Sequence, residues 1–307
     1  MHRALLPLAA LLACHAGEPA AQAPVVAHAA PPVPASAPSD PSAPVPRAPT
    51  KEELARYAWL EPSASIRTLD ETFAPPAGFT RVAVTAGSFG AWLRGLPLRP
   101  AGTPVLGYDG RIVCEPGDAR VAAVAELDVG TRDLQQCADS IVRLNAEWLW
   151  SAGRAAVVSY LFTSGDPAPF ARYAAGDRVR FENKKLIWAR TARPDSSHAS
   201  FRRYLDLVFT YASTQSLARE GHAVKQADVA PGDFLVWPGS PGHAVLILDV
   251  ATSPDGHRVA LIGQGYMPAQ DFHVLSSGEG GPWFSLDGDA VATPFWPPFA
   301  WTALRRF

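Results

Sequence analysis

Three polar residues stand out by type and order: Cys137 in the stretch DLQQCAD, His243 in SPGHAV and Gln264 in LIGQGYMPAQ. A sulfur nucleophile, an imidazole that takes its proton and an amide that orients the imidazole are what acyl transfer through a covalent intermediate needs. The thiolate is the attacking species and a free cysteine titrates near pH 8.5, so the surroundings of Cys137 must assist it. A helix N-terminus supplies unsatisfied amides and the positive end of a dipole for this purpose.

The elements around these residues can be read from their patterns. In DLQQCADSIVRLNAEWLW, Leu134, Cys137, Ala138, Ile141, Leu144, Ala146 and Trp148 recur at near-helical spacing. Asp133 with Gln136 reads as a capping box, which puts Cys137 in the first helical turn. In VAPGDFLVWPGSPGHAVLILDV, two Pro/Gly turns flank the strand FLVW and deliver His243 at the mouth of a second strand. A third strand, RVALIGQ, ends at Gln264. Backbone geometry, not a mobile loop, would then hold the base.

Other signals are weaker. Thr50 and Glu53 form a capping box for a short helix, Phe79–Val84 and Arg120–Gly130 read as strands, and Ser88–Leu96 reads as a capped helical turn. Phe201, Leu205, Val208 and Phe209 suggest a helix buried on one face. Gln136 could help an oxyanion, and Tyr266 and Gln270 could line a cleft. Asp139 reads as a helix-start charge and Asp233 as a turn residue. The segment after Pro294 has no clear period.

Each chemical reading has a structural competitor. Cysteine is among the most buried residue types, so Cys137 could be packing. It could also pair with Cys114 in an oxidising compartment, a disulfide of roughly 3 kcal/mol for a loop of that length. His243 could be a satisfied core histidine, and Trp283, Trp296 and Trp301 could be core or could stack on sugars. Asp249, His257 and His273 lack the spacing of a metal set, and no cofactor is implied. The chain has no G-x-x-x-x-G-K loop, no H-E-x-x-H and no paired C-x-x-C. A net charge of −2 gives no reason to expect nucleic acid as a partner.

The N-terminus speaks to compartment. MHRALLPLAALLAC has a basic start and a short apolar run, too short for the roughly 20 residues of a membrane span, and reads as an export signal. Leu11-Leu12-Ala13-Cys14 resembles the lipobox of bacterial lipoproteins, which implies lipid on Cys14 and, with His15 next, outer-membrane sorting facing the periplasm. An ordinary secretory peptide is the alternative. Residues 15–50, rich in Ala and Pro, read as a semi-rigid tether of partly polyproline type. Residues 51–307 are long enough for one α+β domain.

The segment PGDFLVW…GHAVLI resembles that of NlpC-type and CHAP-type cell-wall amidohydrolases, and DLQQCADSIV resembles their nucleophile helix. DLQQCAD, SPGHAV and YMPAQ together resemble the bacterial domain-of-unknown-function family 4846. The resemblance implies a papain-like α+β core with an antiparallel sheet, Cys137 as nucleophile, His243 as base and Gln264 as third residue. Its implied substrate is an envelope amide such as a peptidoglycan stem peptide. Cys137 and His243 stand 106 positions apart, so residues 155–224 are expected to be an insertion, in addition to N-terminal elaboration. Ala138 stands where the resembled enzymes often have Ser or Thr. A non-catalytic lipoprotein that binds a glycan, peptide or protein is the competing function.

Overall fold

The structure, a computed structural model, describes residues 45–307 except 183–184 and 279–280. The stretch read as an export signal, Cys14 and most of the stretch read as a tether lie outside the described residues. Arg47, within the stretch read as tether, pairs with Ile66 through its backbone and with Glu53 and Glu71 through its guanidinium.

The fold is α+β, and its core is a nine-stranded sheet in which every paired strand runs antiparallel. Its strands are β1 (Thr80–Arg81), β2 (Val121–Val124), β3 (His222–Ala223), β4 (Phe234–Trp237), β5 (His243–Thr252), β6 (Arg258–Gln264), β7 (His273–Leu275), β8 (Trp283–Ser285) and β9 (Leu304–Arg306). Their order is β3-β9-β4-β5-β6-β7-β2, with β1 on the far end of β5 and β8 on β6. Strand β5 is buried from His243 through Ala251 because both sheet faces are covered. Ala244, Leu246 and Leu248 face one apolar cluster, and Val245 and Ile247 face another, as the period of two in a strand requires, until a bulge after Ile247 brings Val250 to the second cluster.

Helices α1 (Lys51–Arg56), α2 (Phe89–Arg94), α3 (Cys137–Ser151), α4 (Phe170–Ala174), α5 (His198–Tyr211) and α6 (Thr214–Glu220) complete the frame. The sequence-read caps at Thr50 and Ser88 hold: Thr50 and Glu53 form the reciprocal box on α1, and Ser88 accepts from Ala91. Helix α3 begins at Cys137, later than the periodicity indicates, after a turn through Asp133 and Leu134. The box expected between Asp133 and Gln136 is displaced: Asp139 accepts from the Gln136 amide at 3.2 Å, and Asp133 serves the loop described below. The strands read from Phe79 and Arg120 are shorter than expected, four residues at most. The tail that lacks a period contributes β9, inserted between β3 and β4.

Buried ions lock α3 in place. Arg143, fully enclosed, donates to Glu147 (2.9 Å), to the Asp128 carboxylate (2.9 Å) and to the Gln135 side chain (3.1 Å). Glu147 in turn meets His198 at 2.8 Å, tying α3 to α5. Between α3 and β3 the chain builds two hairpins, Ser159–Leu161 with Pro167–Pro169 and Asp177–Glu182 with Lys185–Arg190, neither of which joins the core sheet. Residues 155–224, expected to be an insertion, nevertheless share the main core: Tyr160, Phe162, Phe201 and Leu217 belong to the same apolar cluster as Ile141 and Leu246.

At the other end of β5, a bulge between Ile247 and Asp249 turns Asp249 inward. There Arg81 and Arg94 clasp it at 2.6 and 2.8 Å. Removing the acid leaves two inward-facing cations unpaired, a change that costs 3 kcal/mol or more where partners are buried. Because both arginines keep some solvent contact, Asp249→Ala is expected to lower the urea unfolding free energy by about 3 kcal/mol; a loss below about 1 kcal/mol would mean the clasp is a surface-like pair.

Candidate functional site

The first turn of α3 rests on the backbone just beyond the end of β6. A side chain added at Gly265 would collide with Ser140 Oγ and crowd the Gln136 carbonyl, so only glycine permits this approach. Ser140 secures the turn by donating from Oγ to the Gln136 carbonyl at 2.8 Å.

The end of β6 also exposes an amide. Ile247 N–H donates to Asp233 in the direction of β4, so alternate amides along β5 point to β4 and those of Leu246 and Ala244 point the other way. Pairing of β5 with β6 starts only at Leu246 and Gly263. Ala244 N–H therefore has no strand partner, and the Cys137 sulfur fills the gap. The amides of Ala244, Ala138 and Cys137 itself favour its thiolate, but burial outweighs them and, with Asp139 adding to it, pushes the thiol up to about 11.

His243 lies on the sheet face shared with Val245, against Trp296, Tyr266 and Phe299 at ring separations of 4.9, 5.0 and 6.1 Å. Its Nε2 meets Gln264 Oε1 at 2.7 Å, while Nδ1 has no hydrogen-bond partner, the thiol included. Burial pushes this imidazole down to about 4. Gln264 Nε2 continues to His273 Nε2 at 3.3 Å, and His273 Nδ1 to the Asp271 carbonyl at 3.0 Å. The structure thus joins His243 to Gln264 directly and places Cys137 against the amide that follows His243, without a bond from sulfur to ring.

A cleft of about 370 Å³ opens over Cys137. Gln136, Asp139, Thr214 and the turn Gly239–Gly242 are among its walls, so residues 155–224 supply one side of it through α6. Gln136 lines the cleft, but the amide read as an oxyanion donor already donates to Asp133 at 2.9 Å. Tyr266, expected in the cleft, points its hydroxyl to the Phe295 carbonyl at 3.0 Å on the His243 side. Gln270 is buried, its Oε1 unpartnered. Asp133 accepts from Ala269 N–H at 2.7 Å, and Arg99 holds Asp271 at 2.8 Å, so the YMPAQ loop is anchored from both sides.

Several expectations change here. Cys114 and Cys137 are both free thiols, which removes the disulfide. Asp139 is not an exposed helix-start charge: it is buried, its Oδ1 has no partner, and burial pushes its carboxyl up to about 8. Asp233 is the turn residue expected, accepting from Ala230 N–H at 2.9 Å, and is in addition a buried acid bound by Arg306. Trp283 and Trp301 spend their indole N–H groups on the carbonyls of Ala74 and Gly288. Sequence reasoning missed His273 and Trp296 as neighbours of the base; His273 sits at a strand position where alternation alone would have put it on the face of Gln264. Among the described residues, no cluster of His, Cys, Asp and Glu could hold a metal and no helix is long and apolar enough to cross a membrane.

The family described as Domain of unknown function (4846) matches residues 69–306, which takes in the cleft, the histidine chain and residues 155–224. The chain belongs to this family. Neither curated proteins nor solved structures provide a match.

The buried Asp139 has a measurable consequence. Its folded pKa, about 8, lies above the unfolded value of 3.8, so its stabilising contribution is complete below about pH 4 and is lost as pH rises to 8. Asp139→Asn keeps the acceptor for Gln136 N–H and cannot ionise. Its stability relative to the parent should rise by on the order of 1 kcal/mol per pH unit between pH 4 and 8 and level off above. A difference independent of pH in denaturant titrations would place the ionised carboxylate in the native state.

Proposed function

We propose that this chain is a cysteine hydrolase or acyl transferase with a papain-like core, acting on an amide bond in the cell envelope. Peptidoglycan stem peptides are the proposed substrate class. The observation that carries the reading is the free Nδ1 of His243: the ring is held through Nε2 by Gln264, and the next residue's amide faces the Cys137 sulfur. In unliganded sites such contacts are commonly looser than in the reacting complex. The export signal, lipid on Cys14 and outer-membrane attachment facing the periplasm belong to the same proposal and rest on the N-terminal sequence. Lipid on Cys14 would be the only membrane attachment, with no nucleic acid as partner.

In the proposed reaction Cys137 Sγ attacks the amide carbonyl while His243 Nδ1 takes the thiol proton. Amides at the start of α3 hold the oxyanion. His243 then gives the proton to the leaving amine, and water or a second amine releases the acyl group from the thioester. With the thiol held high and the imidazole low, both partners start neutral at pH 7. Proton transfer therefore accompanies attack, in place of a standing ion pair. Below about pH 8, protonated Asp139 no longer disfavours a forming thiolate.

The same burial favours one other reading, in which an inert pair leaves the cleft to bind a glycan, peptide or protein. Incubation with purified peptidoglycan sacculi separates the two. The parent chain should release new amino groups, and Cys137→Ala and His243→Ala should each reduce the rate by about 10²-fold or more. Equal release by parent and Cys137→Ala would remove the hydrolase.

For the free enzyme, kcat/KM should show its acid limb near pH 4, where His243 gains a proton, and no rise centred on pH 6.5. An acid limb near 6.5 would contradict a buried, neutral base.

A further inference from the structure

We infer that His273 is a positioning residue that dictates which ring nitrogen of His243 is free to take a proton. Its part in catalysis rests on the reading of Cys137 and His243 given above; its effect on the tautomer does not. The chain of contacts runs from His243 Nε2 to Gln264 Oε1, from Gln264 Nε2 to His273 Nε2, and from His273 Nδ1 to the Asp271 carbonyl. Only the last group has a fixed sense, because a backbone carbonyl accepts and never donates.

That carbonyl sets the direction of every link. His273 Nδ1 must carry a proton to donate to Asp271 at 3.0 Å, so in the neutral ring Nε2 is a lone pair. This lone pair accepts from the Gln264 NH₂ group, which turns Gln264 Oε1 toward His243. The carbonyl oxygen then accepts from His243 Nε2–H at 2.7 Å, and the lone pair of His243 is left on Nδ1, the nitrogen without any partner. Gln264 in the opposite orientation would require His273 to donate from Nε2 and to set its Nδ1 lone pair against the Asp271 oxygen, a repulsive contact. A doubly protonated His273 could avoid that contact, but its ring is fully enclosed and burial holds it down to about 4. The remaining groups around His273 are Asp118, Arg120 and the ring of Phe295.

The consequence is specific. An amide alone cannot tell one imidazole nitrogen from the other, since it offers an acceptor at one end and a donor at the other. His273 removes the ambiguity and leaves His243 Nδ1 as a base ready to receive a proton.

Long-range ¹H–¹⁵N correlation spectra of the ¹⁵N-labelled chain at pH 7 test this directly. His243 should appear as the Nε2–H tautomer and His273 as the Nδ1–H tautomer; the reverse assignment overturns the inference. In His273→Phe, which deletes the acceptor, His243 should show both tautomers, while His273→Gln, whose NH₂ can donate to the Asp271 carbonyl and leave its Oε1 to accept from Gln264, should return the single Nε2–H pattern. A merely structural His273 would leave the His243 tautomer unchanged in both variants. Where the Phe variant does not fold, the tautomers in the parent spectrum decide. The expected spectra in a chain that cleaves no amide would leave this role standing and remove only the hydrolase.

Discussion

The contact between the first turn of α3 and the backbone at Gly265 is the constraint on which the candidate site depends. It exists because β6 ends at Gln264 and because position 265 carries no side chain. Were β6 to continue, its backbone would occupy the direction in which Ala244 N–H points, and the sulfur would be excluded. Were residue 265 larger, the helix would lift off and Cys137 would lose the same amide. The buried network around Arg143 holds the helix against this contact from its middle, and His198 extends the hold to α5. Positioning of one sulfur atom thus draws on the end of a strand, a glycine and an ion network centred about two turns along the helix.

Burial sets the chemistry of the site as much as its geometry does. Desolvation disfavours every charged form, which raises Cys137 and Asp139 and lowers His243 and His273. The outcome is a site whose groups rest neutral and whose hydrogen bonds have a defined direction. Neutral groups are also cheaper to enclose than ions, so the sheet can bury His243, Gln264 and His273 together without a compensating charge. The cleft reaches the sulfur with α6 as one wall. Residues 155–224 are therefore placed to influence what approaches Cys137.

Much of this was legible in the sequence. Strong apolar strands between Pro/Gly turns gave β4, β5 and β6 their bounds, and the helical period announced α3. The pairing of His243 with Gln264 followed from placing one at a strand mouth and the other at the end of the next strand. What could not be read depended on partners distant in the chain. Asp139 looks like an ordinary first-turn acid until the loop and α6 enclose it. Asp133 looks like a cap until Ala269, brought from 136 positions away, claims its carboxylate. The segment from Leu304 to Arg306 has no period of its own because it gains strand geometry only by insertion between β3 and β4. The sheet face on which His243 lies, opposite to α3, depends on register and not on local pattern.

The most direct measurement of the central claim is the rate at which iodoacetamide modifies each thiol near pH 7, read by peptide mass spectrometry in the parent chain and in His243→Ala. Both cysteines are buried and free, so Cys114 serves as the internal reference. If His243 serves Cys137 as a base, Cys137 reacts faster than Cys114 and slows in His243→Ala while Cys114 does not change. Equal rates for the two thiols, or a Cys137 rate indifferent to His243, would contradict the account.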